Sequence, residues 1–212
     1  WLTRNGIDLS AFPTEDLPRN RKSLICSARP ERGLDVLIDK IFPALLKADP
    51  DFTLTLYGYN NPVEHLQPFY AALADKTRQF GDKIKFGGHL KKHDLYKVYS
   101  QAGVYVYPTP SPIYSGFSEI SCISAMEVQA AGLPIVTSNR GALPETIAPG
   151  AGSLIDGDPT SDEYVNKFVD AVVKYANDDQ AFADASRLGK EHAKSLDWDQ
   201  VASEWSEGFD QL

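Results

Sequence analysis

Val104-Tyr105-Val106-Tyr107-Pro108 leads through a Pro/Ser/Gly-rich loop to Ser118-Glu119-Ile120-Ser121-Cys122-Ile123-Ser124-Ala125-Met126-Glu127, and Ala131-Gly132-Leu133-Pro134-Ile135-Val136 follows almost at once. The first run reads as a buried strand, the second as a helix and the third as the next strand. Glu119 and Glu127 lie eight positions apart, a little over two helical turns. One helix is therefore expected to carry both carboxylates on one face, about 12 Å apart along its axis. A strand, a loop and a helix with a carboxylate and free N–H groups in its first turn suit a ligand bearing hydroxyls and phosphates.

The same alternation extends in both directions. Leu24-Ile25-Cys26-Ser27 is a short apolar run that ends at Arg29-Pro30, where proline disfavours helix for its predecessor. Leu34, Leu37, Ile38, Ile41 and Leu45 recur at helical spacing, with a kink expected at Pro43. Phe52 to Tyr57 alternates with period two and stops at Gly58. A helix is expected over about 63–80, a strand over Lys83-Ile84-Lys85-Phe86 closed by Gly87-Gly88, and a short helix from Asp94 to Ala102. Strands follow at Pro134 to Ser138 and Gly152 to Ile155. Short connections between alternating strands and helices predict a doubly wound, Rossmann-like α/β domain with a parallel sheet. Beyond Pro159 the pattern is helical only, over about 161–176, 180–195 and 198–211. On the last helix Trp198, Val201, Trp205 and Phe209 form one stripe. That stripe either covers the domain's own core or docks on a second domain.

The chain has 212 residues, of which 42% are hydrophobic, enough for a sizeable core and with no apolar run long enough for a membrane span. A net charge of −8 argues against a general nucleic-acid or anionic-membrane binder, so any phosphate site has to be built locally. Cys26 and Cys122 make no disulfide framework and read as small buried thiols, which fits a cytoplasmic location. His65, His89, His93 and His192 lack metal-ligand spacing, and no metal is expected. No signal-peptide pattern opens the chain at Trp1, which reads as a cut boundary rather than a natural start.

In open parallel sheets, ligands bind outside the carboxyl ends of the strands. Arg29, Gly58, Gly87-Gly88, the 108–118 loop and Gly141 are all placed there by this reading. Arg29 and Arg32 could hold a diphosphate by bidentate hydrogen bonds, or simply pair with Glu31 or Asp35. Glu119 at a helix start would sit beside the unpartnered amides of Ile120, Ser121 and Cys122. No G-x-G-x-x-G follows the first strand, which disfavours a dehydrogenase.

The Glu119/Glu127 spacing resembles the E-x7-E motif of retaining GT-B glycosyltransferases, the large group known as glycosyl transferases group 1 or family 4. Ala131-Gly132-Leu133-Pro134-Ile135-Val136-Thr137-Ser138 and Gly141-Ala142-Leu143-Pro144-Glu145 are similar to that family's consensus in the same order. Asn5-Gly6-Ile7-Asp8 is similar to its lead-in to the C-terminal domain. Ser27-Ala28-Arg29-Pro30-Glu31-Arg32-Gly33-Leu34-Asp35 resembles its phosphate-contacting segment, and Leu56-Tyr57-Gly58 with Ile84-Lys85-Phe86-Gly87-Gly88 completes the series. The resemblance covers nearly the whole chain. It implies that Glu119 bonds hydroxyls of a donor sugar while the amides of Ile120, Ser121 and Cys122 contact the distal phosphate. The family usually has Gly-Phe-Gly there, and an Arg/Lys pair more widely spaced than Arg29 and Arg32. Glu127 would accept both ribose hydroxyls, and Gly88, His89 and Leu90 would contact the base, with His89 either stacked on it or exposed. Tyr114, Ser115 and Gly116 would be a donor-sugar lid or a plain linker.

The resemblance implies the donor-binding half of a retaining glycosyltransferase, moving a sugar from a nucleotide-diphosphate sugar to an acceptor hydroxyl without a metal. Arg29, Arg32 and Glu119 would be its catalytic groups. Residues 1–197 would form the nucleotide-sugar-binding domain, and 198–212 a C-terminal helix that docks on an absent N-terminal acceptor-binding domain. The whole enzyme would be cytoplasmic, or peripheral to the inner membrane face through that domain, while this part shows no nucleic-acid or membrane contact. The alternatives are a non-catalytic nucleotide-binding module for regulation or docking, and a GT-B-like nucleotide-sugar epimerase.

Overall fold

The computed structural model describes residues 3–58, 63–110, 112 and 116–209. Strands β1 Ser23–Cys26, β2 Thr53–Tyr57, β3 Ile84–Gly88, β4 Val104–Tyr107, β5 Ile135–Ser138 and β6 Gly152–Ile155 form one sheet in the order β3-β2-β1-β4-β5-β6. Every pairing is parallel. The chain thus adopts the expected doubly wound α/β architecture. The strand order reverses between β1 and β4, where helices leave toward opposite faces and a crevice opens at the carboxyl ends.

Helix α1, Leu34–Val36, runs through a π-helical turn at Leu37–Ile41 into α2, Phe42–Ala48. The kink expected at Pro43 takes this form. Proline has no N–H to offer and its ring crowds the carbonyl of Asp39, so the turn before it widens. Next come α3 Gln67–Thr77, α4 Lys92–Gln101, α5 Ile123–Ala130, α6 Leu143–Thr146, α7 Asp162–Asn177, α8 Asp179–Ala193 and α9 Trp198–Phe209. Ser161 caps α7 by accepting from the Tyr164 N–H, and Asp178 caps α8 by accepting from that of Ala181.

Successive strand side chains face opposite sides of a sheet, which divides the apolar residues into two cores. Leu24, Leu54, Leu56, Val104 and Val106 meet Ile38, Phe42 and Leu45, together with Phe168 and Val172 of α7. On the other face Ile25, Tyr105, Tyr107 and Ile135 meet Tyr96 and Tyr99 of α4 and Ala125 and Val128 of α5. Each fully buried aliphatic side chain contributes roughly 1.5–3 kcal/mol relative to exposure. The sheet centre, where β1 and β4 lie side by side, is thereby held firmly under the crevice.

The chain's start and its last helix are joined. Ile7 N–H donates to Leu196 O at 2.8 Å, Trp198 N–H to Ile7 O at 2.9 Å, and the Arg4 guanidinium grips both Glu204 oxygens. The stripe expected on α9 is divided: Val201 is buried, whereas Trp198 is 41% exposed and Phe209 62%. Among the described residues no helix is long and apolar enough to cross a membrane.

Candidate active site

Two cavities adjoin at the carboxyl ends of the strands. The larger, about 360 Å³, lies between the β3–α4 loop and α5, and its walls include Tyr57, Gly58, His89, Leu90, Lys92 and Glu127. The smaller, about 160 Å³, lies between the loop after β1 and the residues leading into α5, and includes Arg29, Arg32, Tyr107, Glu119, Ser121 and Cys122. Ser124 lines both.

The two glutamates differ in placement from the expectation of a shared helix face. Helix α5 begins only at Ile123, so Glu119 lies on the loop before it and Glu127 inside it. The loop is drawn away from helical geometry by the turn after β5: Ala142 N–H donates to Glu119 O at 2.8 Å. Gly141, at φ +60°, approaches so closely that a Cβ there would collide with the Glu119 carbonyl. The first amides of α5 are consequently those of Ile123 and Ser124, with Ile120, Ser121 and Cys122 on the segment before it, and the next two N–H groups, of Ala125 and Met126, reach the Cys122 carbonyl. Ile120 is 92% exposed and lines neither cavity.

Glu119 is buried, and its Oε1 accepts from the Tyr107 hydroxyl at 2.7 Å and from Arg32 Nη1 at 3.4 Å. Burial, then the charge of Glu119, pushes the Tyr107 hydroxyl far above its usual range, so it stays protonated and donates. Arg32 also lies over the Phe117 ring, 4.4 Å from its centroid. Arg29 donates through Nε to Glu31 at 2.7 Å, and Glu31 in turn accepts from the Tyr70 hydroxyl at 3.0 Å. The plainer expectation of a local ion pair therefore holds for Arg29, although the residue still forms part of the cavity wall. The Cys122 thiol is pushed up to about 12 by burial and then by the Glu119 charge, so it remains neutral.

Glu127 is 2% exposed. Its Oε1 accepts from the Tyr96 hydroxyl at 2.9 Å and from Lys92 Nζ. Beneath the junction of the cavities, Ser27 Oγ joins the hydroxyls of Tyr99 at 2.6 Å and Tyr105 at 3.1 Å. Gly88, at φ +71°, accepts from Gly58 N–H at 3.0 Å but lines neither cavity. His89 and Leu90 do line the larger one. Tyr114 and Ser115 lie outside the described residues.

Lys92, Tyr96 and the tyrosine floor were not among the residues singled out from sequence. Their signals were present: Lys92 and Tyr96 are four apart on α4, and Tyr105 and Tyr107 are two apart on β4. Each pair thus shares a face. Among the described residues, no group of three or more His, Cys, Asp or Glu could hold a metal ion.

The family model described as Glycosyl transferases group 1 matches residues 21–185. The chain belongs to this family. A Corynebacterium glutamicum relative, a GDP-mannose-dependent monoacylated alpha-(1-6)-phosphatidylinositol monomannoside mannosyltransferase, is 26% identical over 216 residues, covering 95% of this chain and 51% of that protein. A D-inositol 3-phosphate glycosyltransferase from another strain of that species is 28% identical, over 84% of this chain and 40% of its own length. The chain therefore spans about half or less of these group 1 relatives. Among solved structures, Anabaena HepE in complex with UDP and glucose superposes at a TM-score of 0.78 with 19% identity, covering 98% of this chain and 56% of that one. The C-terminal domain of a group 1 protein from Francisella tularensis gives 0.68 with 20% identity, covering 90% and 97%. The six-stranded sheet corresponds to the C-terminal half of a GT-B fold.

Proposed function

We propose that this chain is the donor-binding half of a retaining glycosyltransferase that moves a sugar from a nucleotide-diphosphate sugar to an acceptor hydroxyl. The observation that carries the reading is the pair of adjoining cavities of complementary chemistry. One holds a buried carboxylate among Tyr57, Leu90 and Leu95, and the other holds two guanidinia beside a helix start. A nucleoside fits the first: a base against His89-Leu90, and ribose hydroxyls donating to Glu127, whose oxygens take several O–H donors at once. A diphosphate suits the second, between Arg29, Arg32 and the amides of Ile123 and Ser124. Glu119 then faces the donor sugar.

Chemically, these groups meet the negative charge that develops on the diphosphate as the glycosidic bond breaks, without a metal. The Arg32–Glu119 contact at 3.4 Å is long for a charge-assisted bond. Exchanging it for a phosphate oxygen costs little. On this reading the acceptor site lies outside this chain, which spans about half or less of its relatives, so the chain by itself is expected to bind donor and transfer little or none.

The test is a thermal-shift series with UDP, GDP, ADP, CDP and dTDP. A ligand at about 100 times its Kd stabilises by ~2.7 kcal/mol, which raises Tm by several degrees for a domain of this size. One diphosphate should shift Tm clearly, and Glu127→Ala should abolish that shift. Absence of any shift, in this chain and in the longer protein alike, overturns the reading.

A further inference from the structure

Lys92 and Tyr96 both bind the same oxygen of Glu127, and this one-sidedness has a use. We propose that they are positioning residues that hold Glu127 with Oε2 open toward the cavity, and so set a preference for ribonucleotides over 2′-deoxyribonucleotides. The inference rests on the reading of Glu127 as the ribose ligand.

An ionised carboxylate offers about four acceptor sites, two on each oxygen. The Tyr96 hydroxyl and Lys92 Nζ take the pair on Oε1. Two sites on Oε2 remain, the number that the vicinal 2′- and 3′-hydroxyls of a ribose can fill. A 2′-deoxyribose fills one and leaves the other facing an almost fully enclosed carboxylate, which costs affinity because a buried acceptor goes unpaired.

The two donors are suited to hold, rather than merely neutralise, the carboxylate. The Tyr96 ring stacks on Phe12 with centroids 3.9 Å apart and planes within 5°, so its hydroxyl has a fixed direction. Burial, then the charge of Glu127, raises its pKa far above the usual range, and it remains a donor. Lys92 reaches Glu127 from the cavity rim, with its side chain 63% exposed against 2% for the glutamate. A cation so open to solvent adds little as a structural tie between α4 and α5. Fixing the rotation of the carboxylate is what the two donors achieve together.

The test compares GDP with 2′-deoxy-GDP, and UDP with 2′-deoxy-UDP, by titration calorimetry on wild type, Lys92→Met, Lys92→Arg and Tyr96→Phe. Tyr96→Phe keeps the stack on Phe12, and Lys92 is at the surface, so all variants should fold; circular dichroism and Tm check this. Wild type is expected to favour the ribonucleotide by about tenfold or more. Lys92→Met and Tyr96→Phe should each lower that ratio at least about threefold, and Lys92→Arg should restore it. Variants that weaken both sugars equally, or a Lys92→Met protein that binds ribonucleotide more tightly, overturn the proposal. A wild-type preference that survives Lys92→Met removes this inference alone. A wild-type protein indifferent to the 2′-hydroxyl removes the ribose role of Glu127, and this inference with it.

Discussion

Glu119 and Glu127 are the same residue in two electrostatic settings. Glu119 answers to a tyrosine and a guanidinium on the small cavity, whereas Glu127 answers to a tyrosine and an ammonium on the large one. Arg32→Ala removes a cation from the small cavity only. It is expected to lower nucleoside diphosphate affinity by about 10–100-fold, the worth of a hydrogen bond to a charged group, while sparing the free nucleoside. Equal losses for both in titration calorimetry would contradict the division of labour. The thiols supply a second prediction. Burial raises Cys26 to about 11 and Cys122 to about 12, and the thiolate is the reactive species. At pH 8 both should resist Ellman's reagent in the folded chain, and both should react after unfolding in guanidinium. Rapid release of one equivalent from folded protein would show that Cys122 is open through the cavity it lines.

At the scale of elements, strands were the legible part. β4 is a short run of valines and tyrosines and β5 opens on Ile135-Val136, both buried throughout, and β2 alternates, so their pattern reads directly as sheet. Helix starts were less legible, and the misplacement of Glu119 shows why. Ser118 to Cys122 has no local feature that forbids helix; it is held out of one by the Ala142–Glu119 hydrogen bond and the close approach of Gly141 from the turn after β5. Such contacts come from residues about twenty positions away, beyond the reach of periodicity. The partners of Glu127 were half legible for a similar reason: spacing puts Lys92 and Tyr96 on one face of α4, but which face meets α5 depends on their packing over the sheet. Gly141→Ala tests the approach directly. A positive φ and the collision with Glu119 should cost roughly 1–3 kcal/mol, read as a lower Tm. On the proposed reading, in which Glu119 faces the donor sugar, affinity for a nucleotide sugar should fall further than affinity for its nucleoside diphosphate. An unchanged Tm would mean that the turn sits further off.

For the molecule as a whole, charge is distributed very unevenly. The chain carries −8 overall, yet residues 83–97 hold five lysines against one aspartate. Lys91 and Lys92, from this segment, stand on the rim of the larger cavity. A local positive field in an otherwise acidic molecule guides anions to one place. The association rate of a nucleoside diphosphate, measured by stopped flow, should therefore fall several-fold between about 20 and 200 mM salt, and a flat profile would show that the rim exerts no such pull. An acidic composition that disfavours general polyanion binding is compatible with a local anion site, because field and net charge are separate quantities.

The parallel sheet also imposes an order on the protein's birth. β1 lies between β2 and β4, and its register with β4 joins Leu24 to Val104 and Ile25 to Tyr105. On a ribosome adding about 5–20 residues per second, β1 waits on the order of 4–16 s with one edge bare. During that interval β2 and β3 can complete only half of the sheet, and the open backbone of β1 is a template for any other nascent strand. A translational pause just before β4 would prolong that exposure, and one placed after β5 would not.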